Sequence, residues 1–143
     1  MAITAERTYE TVAPVVRLEG VLGDDATYYK GQLVVIDAGK FASPTNAANK
    51  VPAGVLTGYG FDPTGGGVLA VADGATVKGE VVRGKVWVPF TGAAQTDVGL
   101  IFYLADNGDV TKTAGAKTWG VLCVGFKAGH VLLDFDNLQG AAA

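Results

Sequence analysis

The sequence predicts an all-β fold: a small β-barrel or sandwich built from two similar β-modules, preceded by an extended N-terminal arm. Three observations point there. Short valine-rich runs recur along the chain, parted by glycine, aspartate and asparagine turns. Twenty-one glycines among 143 residues break any helical stripe before it can develop. The 49% hydrophobic share against 17% charged is too apolar for a disordered chain, and suggests that other copies or a partner cover part of the surface. The length suits one domain.

Residues 1–14 have no apolar periodicity; Glu6, Arg7 and Glu10 dominate and Pro14 closes the stretch. An extended arm is expected, one that orders only against something else. The single β-domain is then 15–139, with 140–143 a flexible tail. Expected strands are Val15–Leu18, Gln32–Asp37, Val51–Tyr59, Val68–Ala72, Val77–Val82, Val86–Phe90, Leu100–Ala105, Trp119–Phe126 and Val131–Phe135. Turns fall at Gly23-Asp24-Asp25, Asp62 to Gly67, Asp73-Gly74, Asp106 to Asp109 and Ala128-Gly129, where Asp-Gly and Asn-Gly pairs supply tight-turn geometry. Only Ala93–Val98 has room for a helical turn.

Side-chain alternation sorts the faces. Val86 and Val88 share one side of their strand, Lys85 and Trp87 the other; Val131, Leu133 and Phe135 form a core side. Leu33 to Ile36 and Leu100 to Leu104 are apolar on both faces, as befits strands inside a sandwich or against another subunit. A repeat links these last two runs. Gly31, an apolar strand, a Gly39 turn, Thr45 and Gly54-Val55-Leu56 are echoed by Gly99, an apolar strand, a Gly108 turn, Thr113 and Gly120-Val121-Leu122. Two copies are too few for a solenoid and fit two β-modules folded onto one another.

Composition and motifs narrow the chemistry. A net charge of −3 gives no basic field for nucleic acid. No apolar run approaches the ~20 residues of a membrane helix, and the N-terminus carries no secretory signal, so folding in a reducing cytoplasm is expected. The single cysteine, Cys123, lies in an apolar strand and reads as a small buried hydrophobe. A hydrolytic triad would need the only serine, Ser43, and the only histidine, His130, without a nucleophile elbow around the serine. Gly65-Gly66-Gly67 lacks the lysine and helix of a phosphate loop. Asp106 to Asp109 lacks the alternating ligands of a calcium loop. No catalytic, cofactor or metal residues are therefore expected. Exposed aromatics could still form a glycan platform.

The stretch from Lys30 to Phe135 resembles the small β-rich decoration, or structural cement, proteins of tailed-bacteriophage capsids. The residues that carry the likeness are Lys30-Gly31-Gln32-Leu33-Val34, Val82-Arg83-Gly84-Lys85-Val86, Val98-Gly99 with Tyr103, and Gly120-Val121-Leu122 through Gly129-His130-Val131. The resemblance implies a β-tulip-like, non-enzymatic homotrimer on the outer capsid surface, clamping neighbouring major capsid subunits. It also implies an N-terminal arm that reaches a neighbour, here Ala2 to Val15. Arg7, Tyr9, Val15, Val16, Arg17 and Leu18 are the expected capsid or intersubunit contacts. The alternative is another virion component, a tail or head-fibre module with a glycan-binding β-surface.

Overall fold

A computed structural model describes residues 3–58, 60–62 and 64–140. Eleven strands account for the order: β1 (Thr11–Val21), β2 (Ala26–Tyr29), β3 (Leu33–Asp37), β4 (Lys40–Ala42), β5 (Val51–Thr57), β6 (Val68–Val71), β7 (Lys78–Pro89), β8 (Ile101–Leu104), β9 (Val110–Thr111), β10 (Trp119–Lys127) and β11 (His130–Gly140). A helical turn, Gln95–Asp97, falls inside the segment expected to hold it. Nine strands form one curled antiparallel sheet, a half-barrel, and β2 pairs with β6 in a small ribbon. The all-β barrel or sandwich expected from the sequence is the fold observed.

The sheet branches at β7, a 12-residue strand. Glu80 to Val82 pair with β1 on one edge and β5 on the other; Lys85 and Val86 pair with β1 and β11. The edge opposite β1 is therefore shared, β5 taking its first half and β11 its second. From this fork two arms of the sheet run outward in matching order, β5-β3-β4 and β11-β10-β8-β9. In each repeat a strand (β3 or β8) pairs with a short hairpin strand (β4 or β9) and with the following Gly-Val-Leu strand (β5 or β10). The two modules read from the sequence thus have the same pairing scheme.

Several boundaries differ from the sequence reading, each for a non-local reason. The first strand starts at Thr11 rather than Val15, because Lys85 and Val86 of β7 offer ladder partners to Val12 and Thr11, with a register shift between Val12 and Val15. The expected runs Val77–Val82 and Val86–Phe90 are one continuous β7, since Gly84 pairs with Val15 instead of turning. Strands β2, β4 and β9 are too short to show periodicity alone. Of the expected tail, Gly140 ends β11, and residues 141–143 lie outside the described residues, as does Tyr59.

Two apolar clusters lie on the two faces of this sheet. Leu33, Val35, Val55, Val86, Val88, Phe102, Val121, Cys123, Val131, Leu133 and Phe135 fill the space between the modules, with Phe90 edge-on to Phe102 at 5.0 Å. Leu22, Tyr28, Val34, Phe41, Ala53, Leu56, Val71 and Val81 form the second cluster, roofed by the β2–β6 ribbon. Strand β3 separates them: Leu33 and Val35 face one, Val34 and its neighbour Ile36 the other. That is why its sequence is apolar on both faces. Each such fully buried aliphatic contributes roughly 1.5–3 kcal/mol.

Asp97 is the buried acid, 2% exposed. Its carboxylate accepts from Lys112 Nζ at 2.9 Å and from the Ala94 N–H at 3.0 Å. The Lys112 hydrogen bond, then that of Ala94, hold its pKa below the ordinary 3.8 against the opposing pull of burial. A carboxyl depressed in the folded state stabilises fully above its unfolded value and loses that contribution as pH falls through the folded one. Asp97→Asn is therefore expected to lower the urea midpoint at pH 7. Its deficit relative to the parent should shrink on acidification to about pH 3; a deficit independent of pH would contradict the assignment.

Candidate binding surface

The residues with chemical potential are not assembled into a reactive site. Ser43 Oγ accepts from the buried Gln32 amide at 2.9 Å, while His130 Nδ1 lies 3.2 Å from the Ala128 carbonyl of its own turn. Cys123 is buried with Sγ 3.2 Å from the Gly125 carbonyl, and burial pushes its thiol above the usual range. Asp62 accepts from the N–H and hydroxyl of Thr64, and these bonds lower its pKa. Asp106 accepts from the N–H groups of Gly108 and Asp109, both at 2.8 Å, an Asx turn rather than a cation loop. Among the described residues no three metal-ligating side chains converge. Trp87 lies beneath the Lys127 ammonium, 4.5 Å from its ring centre, and Trp119 is exposed.

The N-terminal segment defines the surface. Residues 3–10 cross the domain, bending at Thr4 and Ala5, and their main-chain groups bond to its turns and to its central strand. Ile3 N–H donates to Asn107 Oδ1 at 2.9 Å, Glu6 N–H to the Gly66 carbonyl at 2.6 Å and Arg7 N–H to the Lys30 carbonyl at 2.7 Å; the Trp87 N–H donates to the Glu10 carbonyl at 2.9 Å. Arg7 Nη1 and Tyr9 Oη both reach the Gly108 carbonyl at 3.3 Å. Two glycines make room for this path. A Cβ on Gly31 would overlap the Arg7 carbonyl, and one on Gly67 would collide with the Glu6 side chain; both also have positive φ.

Beside this strap lies an open groove of about 370 Å³. Arg7 and Tyr9 form one wall, Lys30 and Gly31 an end, Val55, Thr57 and Val82 the floor, and Val15 and Arg17 of β1 the far side. Its charge is mainly positive, from Arg7, Arg17 and Lys30; Arg17 Nη1 is 2.9 Å from Glu80 Oε1. The structure thus brings Arg7, Tyr9, Val15 and Arg17 together. Val16 and Leu18 lie on the opposite face of β1, Val16 49% exposed and Leu18 half-buried against the ribbon-side cluster. Sequence reasoning missed Gly31, Gly67, Asn107 and Gly108 as anchors of the strap. The available signal was a glycine beside a strand start, which marks close backbone approach.

No protein-family profile matches the sequence, and no curated protein matches it. A solved structure does resemble it: a chain from the capsid of Myoviridae phage XM1, 18% identical, with a TM-score of 0.56 over 94% of this chain and 93% of that one. The two share a fold.

Gly31→Ala is expected to expel the strap. The Arg7 amide should lose exchange protection, and trypsin should cut after Arg7 earlier than in the parent. The melting temperature should drop by a few degrees, in keeping with a loss on the order of 1–3 kcal/mol. Gly39→Ala is the control, because Gly39 shares the positive φ but has open space around it. Equal protection of Arg7 in both variants would refute the slot.

Proposed function

We propose that this chain is a non-enzymatic structural protein of a bacteriophage virion. It binds the outer surface of the capsid as a trimer and stabilises the shell by clamping neighbouring major capsid subunits. The observation that carries this reading is the fold shared with a chain of a phage capsid along nearly the whole of both molecules. The chemistry supports it: the serine, histidine and cysteine each satisfy local structural bonds, and the polar groups that converge hold a strap in place.

The physics of such a fastener is mass action. A protein that binds only the assembled shell stabilises it by RT ln(1 + [L]/Kd), about 2.7 kcal/mol at a hundredfold excess over Kd. A trimer strengthens modest contacts further, because its second and third attachments are intramolecular. Arg7, Tyr9, Val15 and Arg17 present a groove for such contacts, and Val16 and Leu18 extend the surface around β1.

Purified protein mixed with expanded capsids of its phage should pellet with them in a fixed, saturable ratio. The loaded capsids should withstand a higher temperature before releasing DNA. Protein that stays in the supernatant with intact capsids would overturn the reading.

A further inference from the structure

We propose that the acidic turns of Asp24, Asp25 and Asp73 in one copy of this chain seat in the Arg7–Lys30 groove of the next, head to tail. Each copy then gives and receives the same contact. The proposal rests on the trimer of the preceding reading and says how its copies are joined.

The β2–β6 ribbon has opposite charges at its two ends. Asp24 and Asp25 immediately precede β2 and Lys30 immediately follows it; Asp73 lies two residues beyond β6, at the acidic end. Asp24 Oδ2 accepts from the Gly74 N–H at 2.6 Å, which binds the two turns into one tip. Lys40 reaches Asp24 at 4.0 Å, while Asp25 and Asp73 are exposed and make no ion pair among the described residues. Three carboxylates therefore meet one ammonium. A Cβ on Gly74 would find nothing within 4 Å, so the tip stands clear of the body.

The groove has the reverse excess. Arg17 is neutralised by Glu80 at 2.9 Å, which leaves Arg7 and Lys30. Arg7 Nη1 bonds to neutral acceptors, Tyr9 Oη and the Gly108 carbonyl, both at 3.3 Å. Lys30 is exposed, and neither cation has a carboxylate partner among the described residues. Glu6, next to Arg7 along the strap, is exposed and pairs with neither. Thr8 and Thr11 add hydroxyls to the lining. A guanidinium fork, an ammonium and hydroxyls together are donors suited to carboxylates.

Complementary ends on one ribbon select a second copy. The four residues of β2 hold the tip roughly 13 Å from Lys30, at about 3.3 Å per residue, so no copy fills its own groove. Each chain supplies one tip and one groove. A contact between different patches is heterologous, and its repetition closes a ring when the rotation allows. Three copies joined this way leave no tip and no groove unfilled. The exposed Val16 lies outside the groove and stays available to the shell.

Sedimentation equilibrium on the purified full chain, without capsids, tests it. The parent should form a trimer at about 0.1 M salt. Association should weaken by about tenfold or more at about 1 M, where the Debye length falls from roughly 10 to roughly 3 Å. Lys30→Glu should leave the chain monomeric at concentrations where the parent is a trimer, and so should Asp25→Asn/Asp73→Lys. Asparagine suits the left-handed φ of 54° at position 25, and both variants alter exposed side chains only. Mixed in equal amounts, the two variants should form a 1:1 heterodimer, because the intact tip of one still fits the intact groove of the other. A trimer that none of these changes disturbs, or a mixture no more associated than its parts, overturns the proposal and leaves the trimer standing. A parent that stays monomeric to roughly millimolar concentration overturns both. Copies that join as expected but do not bind capsids uphold the contact and overturn the shell reading.

Discussion

A β-strand has two edges, and β7 is the strand whose use of both decides the shape of this molecule. One edge is given to β1 along most of its length. The other is divided, so that β5 leaves along one half and β11 along the other. Two strands leaving one edge cannot stay coplanar. The modules they carry swing apart and then face each other, and the space between is filled by Val86 and Val88 from below and by Phe102, Val121 and Leu133 from one module. Leu33, Val35 and Val55 fill it from the other. The central core exists because the ladder forks, and the fork persists because that core is apolar and buried.

The readable part of this arrangement was the local part. Period-two alternation in Lys85 to Val88 and His130 to Phe135 gave the correct buried face, because a half-exposed strand writes its orientation into adjacent residues. The double-sided apolar runs of β3 and β8 were likewise legible, and so was the repeat, since each module carries the same order of glycine, strand, turn and strand. What could not be read was anything set by a distant partner. Gly84 is a turn residue by composition, but it continues β7 because Val15 lies opposite it. Thr11 and Val12 have the polar surroundings of an arm, but β7 recruits them. Arg7, Tyr9, Val15 and Arg17 fall along one short stretch of sequence; that they share a groove depends on Lys30, Gly31 and β5, far along the chain.

The strap shows how an unpromising sequence becomes ordered. Residues 3–10 bury Ile3 and part of Tyr9 but otherwise lack a hydrophobic face. Their order comes from main-chain bonds to Gly66, Lys30, Asn107 and Trp87, which need no particular side chain on the strap. The specificity sits in the receiving surface, where Gly31 lets the Arg7 backbone approach more closely than any Cβ permits and Gly67 leaves room for the Glu6 side chain. Ile3 and Tyr9 touch the β8–β9 turn, Arg7 the β2–β3 turn and Glu10 the central strand. The strap thereby ties both modules to β7 at the open side of the half-barrel.

The same fork leaves β1 in an unusual position. It is sheet on one edge and surface on the other, and its residues alternate between the two duties. Val16, Leu18 and Gly20 spend their main-chain groups on β7, while Val15, Arg17 and Glu19 keep theirs facing outward. Natural sheets normally protect such an edge with proline and charge. β1 has both in its sequence, Pro14 just before Val15 and then the charged residues Arg17 and Glu19. Each charge is held by a side chain of β7, Arg17 by Glu80 at 2.9 Å and Glu19 by Lys78 at 3.4 Å. The charges that guard the edge are thus fixed by the strand on its other side, and a strand arriving from outside meets them already paired.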